Sequence, residues 1–583
     1  MVIAAVLETA GISMFIPLLE ILVSPGRTKE TALTPVLTFF FGDTDADQFV
    51  VTFCIGLAAF FVIKGLLLGV ITYIQQKFVA IHQARYAQKL LEIYLTRSYS
   101  FHLQRNSMEL IRNVTMLSAR VFYRGLLPVL QLAMETLIVS GIFLVLMIVD
   151  PISTLLMGGV LGSAVILYYV ILRNRVRYWG EQMVQLDSQM LICINQALGS
   201  IKETKLYGHE SFFVDAFTRP TSARALFGAK TSTAPQLSRL FIEAIAIGAL
   251  ALLVAGLVND PEVSIDAILP TLGLFAVAAI RLMPSLSKIV SAVTTLRENV
   301  SAIDILYNDM NAVSHVSGSE KKHIRQENND PSPFQKQMTL RNVNYSYENS
   351  DERQVVNLNL EIDRGQSVAF VGASGAGKTT LMDLILGLLH PTYGEIKIDG
   401  KPLTETMSHW QSLIGYVPQD VYILDDTLRH NIALGHLDSG IDETLLNQAL
   451  AYAQLTDVVA DLPNGVETML GENGTRFSGG QRQRIGIARA LYHQPEVLVM
   501  DEATSALDSE TENEITNAIH QLSGEKTVLI IAHRLSTVRH CDKIVMMDKG
   551  KLVDTGTFDE LKGRCPQFKR LVDLADLQGS ELG

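Results

Sequence analysis

The sequence predicts a membrane α-helical domain of six transmembrane helices followed by a soluble α/β domain. The chain has 583 residues, which is more than one hydrophobic core usually organises. Residues 1–309 contain long apolar stretches with few charges, whereas residues 337–579 have the mixed composition of a soluble protein. The polar segment between them, residues 310–336, is rich in turn-forming residues and predicts a linker.

Six stretches of the first domain are long enough for membrane helices, since a helix needs about 20 mostly apolar residues to cross the hydrocarbon core. They lie near residues 1–23, 50–74, 125–149, 151–172, 237–258 and 265–290. The first begins at the initiator methionine, and Glu8, Glu20 and the absence of a small-residue cleavage pattern argue against a cleaved signal peptide. We expect instead that the chain starts late relative to its relatives.

The connections between these stretches predict the orientation, because Lys and Arg concentrate on the cytoplasmic side of a membrane protein. The basic residues follow the second and fourth stretches, and they are Lys77, Arg85, Lys89, Arg97, Arg105, Arg112, Arg120, Arg173, Arg175, Arg177, Lys202 and Lys205. The other connections are short or acidic. Both long basic connections and the C-terminal domain are therefore expected in the cytoplasm.

The two basic connections contain few Gly or Pro residues from about residue 75 to 103 and from about 173 to 206. This composition predicts that the membrane helices extend well into the cytoplasm. Their tips, near Gln104–Arg112 and Leu206–Phe213, are where the two domains could touch. The alternative is that both connections are solvated loops.

The composition argues against several other classes of protein. The net charge is −12 at pH 7 and the basic residues are scattered, so no nucleic-acid partner is expected. The cysteines Cys54, Cys193, Cys541 and Cys565 lie far apart without Cys-x-x-Cys spacing. Neither a zinc site nor a disulfide framework is therefore predicted.

A glycine-rich segment, Gly372–Thr379, follows an apolar strand at residues 367–371 and precedes a helical run at residues 380–389. Glycines allow backbone N–H groups to face phosphates, and the helix N-terminus adds its dipole. In this pattern Lys378 reaches the terminal phosphates and the Thr379 hydroxyl ligates Mg²⁺. Alone, the segment predicts only that the chain binds a nucleoside triphosphate.

Two adjacent carboxylates, Asp501 and Glu502, end the apolar run at residues 497–500. A buried strand with this ending would allow Asp501 to hold Mg²⁺ through water and Glu502 to polarise an attacking water. Two acids at a strand end are common in isolation. Together with the glycine-rich segment they predict nucleotide hydrolysis.

The pentapeptide Phe477–Gln481 lies between these motifs and resembles the signature sequence of the ABC ATPase family. The flanking elements follow the order of that family over residues 337–575, and they are Tyr347, Gln419, the segment Gly471–Gly474 that is peculiar to exporters, Ser505–Asp508 and His533. Phe477 stands where the family usually has Leu, and we expect little effect because the following hydroxyl and glycines are intact. The resemblance implies an α/β P-loop ABC ATPase domain.

The resemblance also implies a role for each matching residue. The implied ATP contacts are Tyr347, Gly372, Ala373, Ser374, Gly375, Ala376, Gly377, Lys378, Thr379, Thr380, Ser478, Gly479, Gly480, Gln481 and Asp508. The implied catalytic residues are Glu502, His533, Gln419 and Lys378. The implied Mg²⁺ ligands are Thr379, Gln419 and, through water, Asp501.

The resemblance further implies a dimer. In the family, Ser478 and Gly480 of one subunit would close over ATP held by Lys378 and Thr379 of the other, because a helix N-terminus with exposed amides stabilises the γ-phosphate. A second copy of the chain is the expected partner, and a heterodimer is the alternative. Six spans fused to one such ATPase resemble the exporter branch, in which nucleotide-driven closure turns the membrane cavity outward.

Four basic residues lie at predicted membrane depth, where a charge is costly and usually faces a cavity. They are Lys64, Arg239, Arg281 and Lys288, and a dimer would contain eight such groups, enough to hold a polyanionic headgroup. Arg281 and Lys288 are two helical turns apart and share a face. In the alternative, Arg239 pairs with Glu243, Lys64 snorkels, and Glu135 neutralises another cation.

The segments Leu7–Ser13 and Arg281–Ser285 resemble those of bacterial lipid-linked oligosaccharide flippases. That resemblance implies an undecaprenyl-pyrophosphate glycan as cargo, the inner membrane as location, and a short external helix near Leu33–Phe41. Basic residues suit a pyrophosphate. Export of other lipids, peptides or hydrophobic compounds is the alternative, and a regulatory ABC protein without transport is a third hypothesis that intact Glu502 and His533 disfavour.

Overall fold

The computed structural model describes residues 1–14, 46–258, 265–316, 334–347, 353–502, 515, 524–532 and 534–580. The chain divides into two compact units. The first comprises Met1–Arg97 and Phe101–Ser317, and the second includes Gly318–Gly583. Helices make up the first unit and two β-sheets organise the second, so the predicted fold class is confirmed.

The first unit contains eleven α-helices among its described residues. They are α1 (Val2–Ser13), α2 (Ala46–Leu95), α3 (Tyr99–Gln104), α4 (Ser107–Arg112), α5 (Ser118–Val121), α6 (Leu127–Val149), α7 (Pro151–Gly199), α8 (Ile201–Tyr207), α9 (Glu210–Val258), α10 (Ile265–Glu298) and α11 (Val300–Val316). Two π-helical turns, Asn113–Leu117 and Phe122–Leu126, connect α4 to α5 and α5 to α6. The chain from α4 to α6 is therefore one continuous helical path.

Five helical paths in the described part of the chain are long and apolar enough to cross a membrane. They are Val51–Leu95, Ser107–Val149, Pro151–Gly199, Glu210–Leu252 and Ala276–Glu298. Each overlaps one of the second to sixth predicted spans. Only the beginning of the first predicted span is described, as α1, and the predicted external helix at Leu33–Phe41 lies outside the described residues.

The basic connections are helical, as predicted, and are not solvated loops. Helix α2 has 50 residues and α7 has 49. At 1.5 Å per residue each is about 75 Å long, more than twice the ~30 Å hydrocarbon core of a bilayer. Both predicted tips contain a break, between α3 and α4 and at Gly208, whose φ of 67° ends α8.

The structure describes both ends of the segment predicted as a linker, residues 310–336. Helix α11 continues to Val316, and Met310 packs against a cluster that includes Leu90 and Leu306. At the other end Phe334 is buried, with its ring centroid 5.7 Å from that of Trp410 in the second unit. Apolar side chains in a polar stretch therefore extend both units into the segment predicted as a linker.

The second unit has ten strands among its described residues. They are β1 (Gln337–Ser346), β2 (Arg353–Asp363), β3 (Ser367–Val371), β4 (Tyr393–Ile398), β5 (Lys401–Pro402), β6 (Ile414–Val417), β7 (Val497–Asp501), β8 (Thr527–Ile531), β9 (Lys543–Asp548) and β10 (Lys551–Gly556). An antiparallel sheet has the order β2-β1-β4-β5, and a larger sheet has the order β10-β9-β3-β8-β7-β6. All neighbouring strands of the larger sheet are parallel except β10 and β9.

The helices of the second unit are α12 (Lys378–Ile385), α13 (Leu403–Ser412), α14 (Leu428–Ile432), α15 (Glu443–Tyr452), α16 (Thr456–Ala460), α17 (Gly479–Tyr492), α18 (Leu535–Val538), α19 (Phe558–Arg564) and α20 (Pro566–Ser580). Every residue of β3, β7 and β8 is buried, as expected for parallel strands covered on both faces. Since these strands are parallel neighbours, the residues that follow β3 and β7 leave the sheet at the same edge.

Helices α7 and α10 of the first unit approach closely at Gly180 of α7. A Cβ atom at this position would lie 1.9 Å from the backbone oxygen of Glu298 at the end of α10. Backbone cannot yield as a flexible side chain can, so only glycine fits this contact. By contrast, a Cβ at Gly162 of the same helix would meet nothing within 4 Å.

Replacing Gly180 by Ala is therefore expected to separate α7 from α10 and to destabilise the protein by about 1–3 kcal/mol, the usual cost of overpacking. The measurement is the thermal unfolding midpoint of the purified protein in detergent. Gly162→Ala is the matched control and should leave the midpoint unchanged or slightly raised. Equal midpoints for the two variants would contradict the close approach.

Candidate functional site

The glycine-rich loop connects β3 to α12 through two positions that only glycine can occupy. Gly372 has a φ of 153° and Gly377 a φ of 92°. A Cβ at Gly372 would lie 2.2 Å from the backbone oxygen of Met547, and one at Gly377 would lie 2.4 Å from that of Gln354. The loop is thus pressed against neighbouring backbone on one side, while Ala373, Ser374 and Gly375 are exposed on the other.

Lys378 begins α12, and its ammonium group lies over this loop. The Nζ atom donates to the backbone oxygens of Gly372 at 2.9 Å and Ala373 at 3.1 Å. Burial lowers the pKa of Lys378, and the negative charges of Glu502 and Asp501 oppose this shift. Two backbone carbonyl groups therefore hold the ammonium group at the point where the loop amides and the helix N-terminus would attract a phosphate.

The residues after Lys378 differ in exposure. Thr379 is exposed, whereas Thr380 is buried and its hydroxyl lies 3.2 Å from that of Tyr347. Tyr347, the predicted adenine-stacking residue, is half-buried at the end of β1. The Thr379 hydroxyl is thus available to a ligand.

The two predicted acidic residues differ in conformation and environment. Asp501 is the last residue of β7 and is buried, whereas Glu502 has a left-handed φ of 49°. The backbone N–H of Glu502 donates to the Ile531 oxygen at 3.1 Å, and the Gln419 side chain donates to its Oε2 at 3.0 Å. Two contacts therefore orient Glu502, one from strand β8 and one from the loop that follows strand β6.

A third carboxyl group, which the sequence did not single out, belongs to the same site. Asp383 lies in α12, and burial together with the negative charge of Asp501 raises its pKa to about 6. The sequence signal was slight, since Asp383 is one acid in an otherwise ordinary helical run. The resulting site has a buried ammonium group and three carboxyl groups within mutual electrostatic reach.

The residues that would hold Mg²⁺ supply oxygen atoms, the ligands that this ion prefers. Thr379 offers a hydroxyl, Asp501 a carboxylate and Gln419 an amide oxygen. Within the described ranges no group of three or more His, Cys, Asp and Glu side chains could bind a metal ion. The set therefore suits an ion that takes few protein ligands and depends on phosphate oxygens and water for the rest.

The signature pentapeptide forms the N-terminus of α17. The Ser478 hydroxyl accepts from the Gln481 N–H at 3.2 Å, and the Gln481 side chain accepts from the Ser478 N–H at 2.9 Å. This reciprocal capping leaves Ser478 exposed. Phe477 is buried in the core behind the cap, so the ring substitutes for the usual Leu as packing.

Ser478 and Gln481 bond each other and, within the described ranges, donate no hydrogen bond to the glycine-rich loop of the same chain. The structure therefore brings together Lys378, Asp501, Glu502 and Gln419, and it leaves the signature helix as a separate exposed element. Asp508 and His533, predicted for the same site, lie outside the described residues.

Three of the four basic residues predicted at membrane depth form ion pairs. Lys64 of α2 lies 2.5 Å from Glu8 of α1, and Arg281 of α10 contacts the other oxygen of the same carboxylate. Lys288 of α10 lies 2.7 Å from Oε1 of Glu135 in α6. Carboxylates on distant helices therefore pair three of the four cations, and local sequence spacing does not reveal these partners.

Of the three alternatives considered for these cations, the structure agrees with one and disagrees with two. Lys64 does not snorkel, since it is buried and paired, whereas Glu135 does neutralise a cation. Arg239 is exposed, and the described residues give it no ion pair with Glu243. The three paired cations thus share two carboxylates, Glu8 and Glu135.

Residues 355–505 match the family model described as ABC transporter. An ATP-dependent lipid A-core flippase of Ralstonia nicotianae is 32% identical over 67% of this chain and 65% of its own length. The same-named protein of Shigella sonnei is 32% identical over 69% and 68%. The matched part of the chain thus spans about two thirds of these relatives.

Two further known proteins are similar to this chain over more of its length. A protein of Bacillus subtilis named putative multidrug export ATP-binding/permease protein YgaD is 29% identical over 78% of this chain and 76% of its length. The solved structure of a bacterial Atm1-family ABC exporter with ATP bound covers 98% of this chain and 97% of that one, with a TM-score of 0.78 and 24% identity. This likeness establishes the fold over the whole chain.

Proposed function

The chain belongs to the ABC transporter family, and from this premise we propose that it is an ATP-driven exporter or flippase that works as a dimer. The proposed cargo is a lipid-linked, pyrophosphate-bearing oligosaccharide, moved across the bacterial inner membrane with the ATPase unit in the cytoplasm. The observation that carries the ATPase activity is the joint position of Lys378, Asp501, Glu502 and Gln419 at one edge of the larger sheet.

In the proposed hydrolysis, each residue of this group has one task. Lys378 exchanges its two carbonyl contacts for terminal phosphate oxygens. The Thr379 hydroxyl and, through water, Asp501 would hold Mg²⁺, which would supply positive charge beside the phosphates. Glu502 orients the attacking water and accepts its proton. Gln419 keeps the Glu502 carboxylate in position through the hydrogen bond at 3.0 Å.

The proposal of a dimer is supported by the exposed signature helix. The capping bonds of Ser478 orient the first amides of α17 outward, where they and the helix dipole can stabilise a γ-phosphate bound to a second chain. Because all the predicted residues are present in one sequence, a homodimer would have two competent sites. A heterodimer with a related chain is the alternative.

The cargo proposal rests on the membrane ion pairs. Arg281 is 39% exposed and Lys288 is 62% exposed, although their partners Glu8 and Glu135 are buried. Each cation therefore has a free side that an anionic headgroup can contact. Three cations beside two carboxylates leave a local excess of positive charge that suits a pyrophosphate diester, which carries one negative charge on each phosphoryl group. The relatives named lipid A-core flippase support a lipid cargo.

A second candidate is export of other lipids, peptides or hydrophobic small molecules. The pairing of three cations with Glu8 and Glu135 favours it, since a neutral cargo needs no free positive charge. The relative named as a putative multidrug exporter is consistent with this alternative.

The Glu502→Gln variant is expected to bind ATP with unchanged affinity and to lose at least about 100-fold in hydrolysis, because the amide cannot accept the proton of the attacking water. Nucleotide binding and phosphate release by the purified dimer measure the two effects. Glu496→Gln, at the other end of the same strand, is the matched control and should hydrolyse ATP normally. Brisk hydrolysis by Glu502→Gln would show that another residue is the base.

The double change of Arg281 and Lys288 to Ala tests the cargo. Under the proposal it abolishes the stimulation of ATP turnover by a pyrophosphate-linked polyprenyl lipid in proteoliposomes, and it abolishes flipping of that lipid. Arg177→Ala, which removes an exposed arginine paired only with Glu181, should leave both unchanged. Normal flipping by the double variant would overturn the cargo assignment while leaving the ATPase assignment intact.

A further inference from the structure

The first unit contains a cavity of about 220 Å³ whose lining is rich in arginine. Its lining residues come from helices α4, α5, α7 and α9 and from the two π-helical turns between α4 and α6. The charged residues of its lining are Arg112, Arg120, Arg124, Asp187 and Arg224, and together they define the arginine cavity. None of them belongs to the nucleotide site or to the four cations at membrane depth.

Carboxylates compensate only part of this charge. Asp187 pairs with Arg120 at 3.5 Å and also with Arg224. Glu298 pairs with Arg120 at 3.3 Å and with Arg124 at 3.0 Å. Four guanidinium groups against two carboxylates leave two positive charges at the arginine cavity.

Arg112 accounts for much of the imbalance. Its side chain donates through Nε and Nη2 to the Asn113 amide oxygen, at 3.2 and 2.9 Å, and the residue is only 7% exposed. In the described part of the chain no carboxylate pairs with it. A buried charge without a counter-ion is costly, so this guanidinium group stabilises the fold only if an anion approaches it from the cavity.

The arginine cavity lies beyond the apolar spans on one side of the membrane unit. Arg124 precedes the first residue of α6 by three positions, and Asp187 follows the apolar stretch ending at residue 172 by fifteen positions. At 1.5 Å per residue these offsets are about 5 and 22 Å. The cavity therefore extends from near the level of the lipid headgroups into the aqueous phase. Water and soluble anions have access there.

We propose that the arginine cavity is a binding site for a phosphate- or pyrophosphate-bearing anion. Guanidinium groups form paired hydrogen bonds with phosphate oxygens, and four of them converge on a space with two uncompensated charges. A water molecule occupies about 30 Å³ of liquid, so 220 Å³ accommodates a pyrophosphate group. The source is either a soluble anion or the headgroup of a lipid, which share this chemistry.

The test uses the full-length protein carrying Lys378→Ala, which removes phosphate binding at the nucleotide site. Isothermal titration calorimetry with inorganic pyrophosphate in detergent is expected to show one saturable site per chain. Introducing Arg112→Gln into the Lys378→Ala protein should weaken its affinity for pyrophosphate at least tenfold. Since a buried change can disturb folding, Arg124→Gln is a second variant at a half-exposed position and should also weaken binding.

The matched control is Arg177→Gln, an exposed arginine of α7 outside the cavity, which should bind pyrophosphate like the parent protein. The proposal is overturned if the parent shows no saturable binding, or if both cavity variants bind as tightly as the control. A thermal midpoint raised by pyrophosphate in the parent and control, but not in a folded cavity variant, would give independent support.

A second arm distinguishes the two sources of anion. The same titration is carried out in nanodiscs of phosphatidylcholine alone and of phosphatidylcholine with phosphatidylglycerol. Weaker pyrophosphate binding with the anionic lipid assigns the cavity to a lipid headgroup, because the headgroup competes for the same arginines. Equal binding in both nanodiscs assigns it to a soluble anion.

Discussion

The electrostatic grouping of one buried ammonium group with the carboxylates at the end of β7 is the constraint on which the soluble unit depends. Lys378 is anchored by the carbonyls of the glycine-rich loop, and its charge is balanced by Asp501 and Glu502. Parallel pairing of β3, β8 and β7 brings these groups to one edge of the sheet, since parallel strands present their carboxyl ends together. Close backbone contacts at Gly372 and Gly377 then keep the loop in place.

In the membrane unit, too, carboxylates pair with cations, and an unpaired charge is more costly there because the surroundings are less polar. Glu8 joins α1 to α2 and α10, and Glu135 joins α6 to α10. These ion pairs therefore serve as contacts between helices as well as candidate cargo contacts. Loss of the pair between Glu8 and Arg281 would remove a contact between α1 and α10. At the arginine cavity, too, the cations outnumber the carboxylates beside them.

Much of the architecture could be predicted from sequence because its signals are local. Apolar length identified the membrane helices, and the spacing of glycines, Lys378 and Thr379 identified the loop before α12. Contacts between distant segments could not be predicted in this way. Nothing near Glu8 indicates that it pairs with both Lys64 and Arg281, and nothing near Phe334 indicates that it packs on Trp410. The elevated pKa of Asp383 likewise depends on burial and on Asp501, which lies in a strand far along the chain.

Paired variants of the chain test directly whether one nucleotide site is built from two chains. Chains with Lys378→Ala and chains with Ser478→Arg, each inactive alone, are coexpressed with different tags and purified through both tags. If sites form between chains, the mixed dimer has one intact site, with Lys378 from one chain and Ser478 from the other, and it hydrolyses ATP well above either parent. Mixed dimers as inactive as both parents would contradict the account.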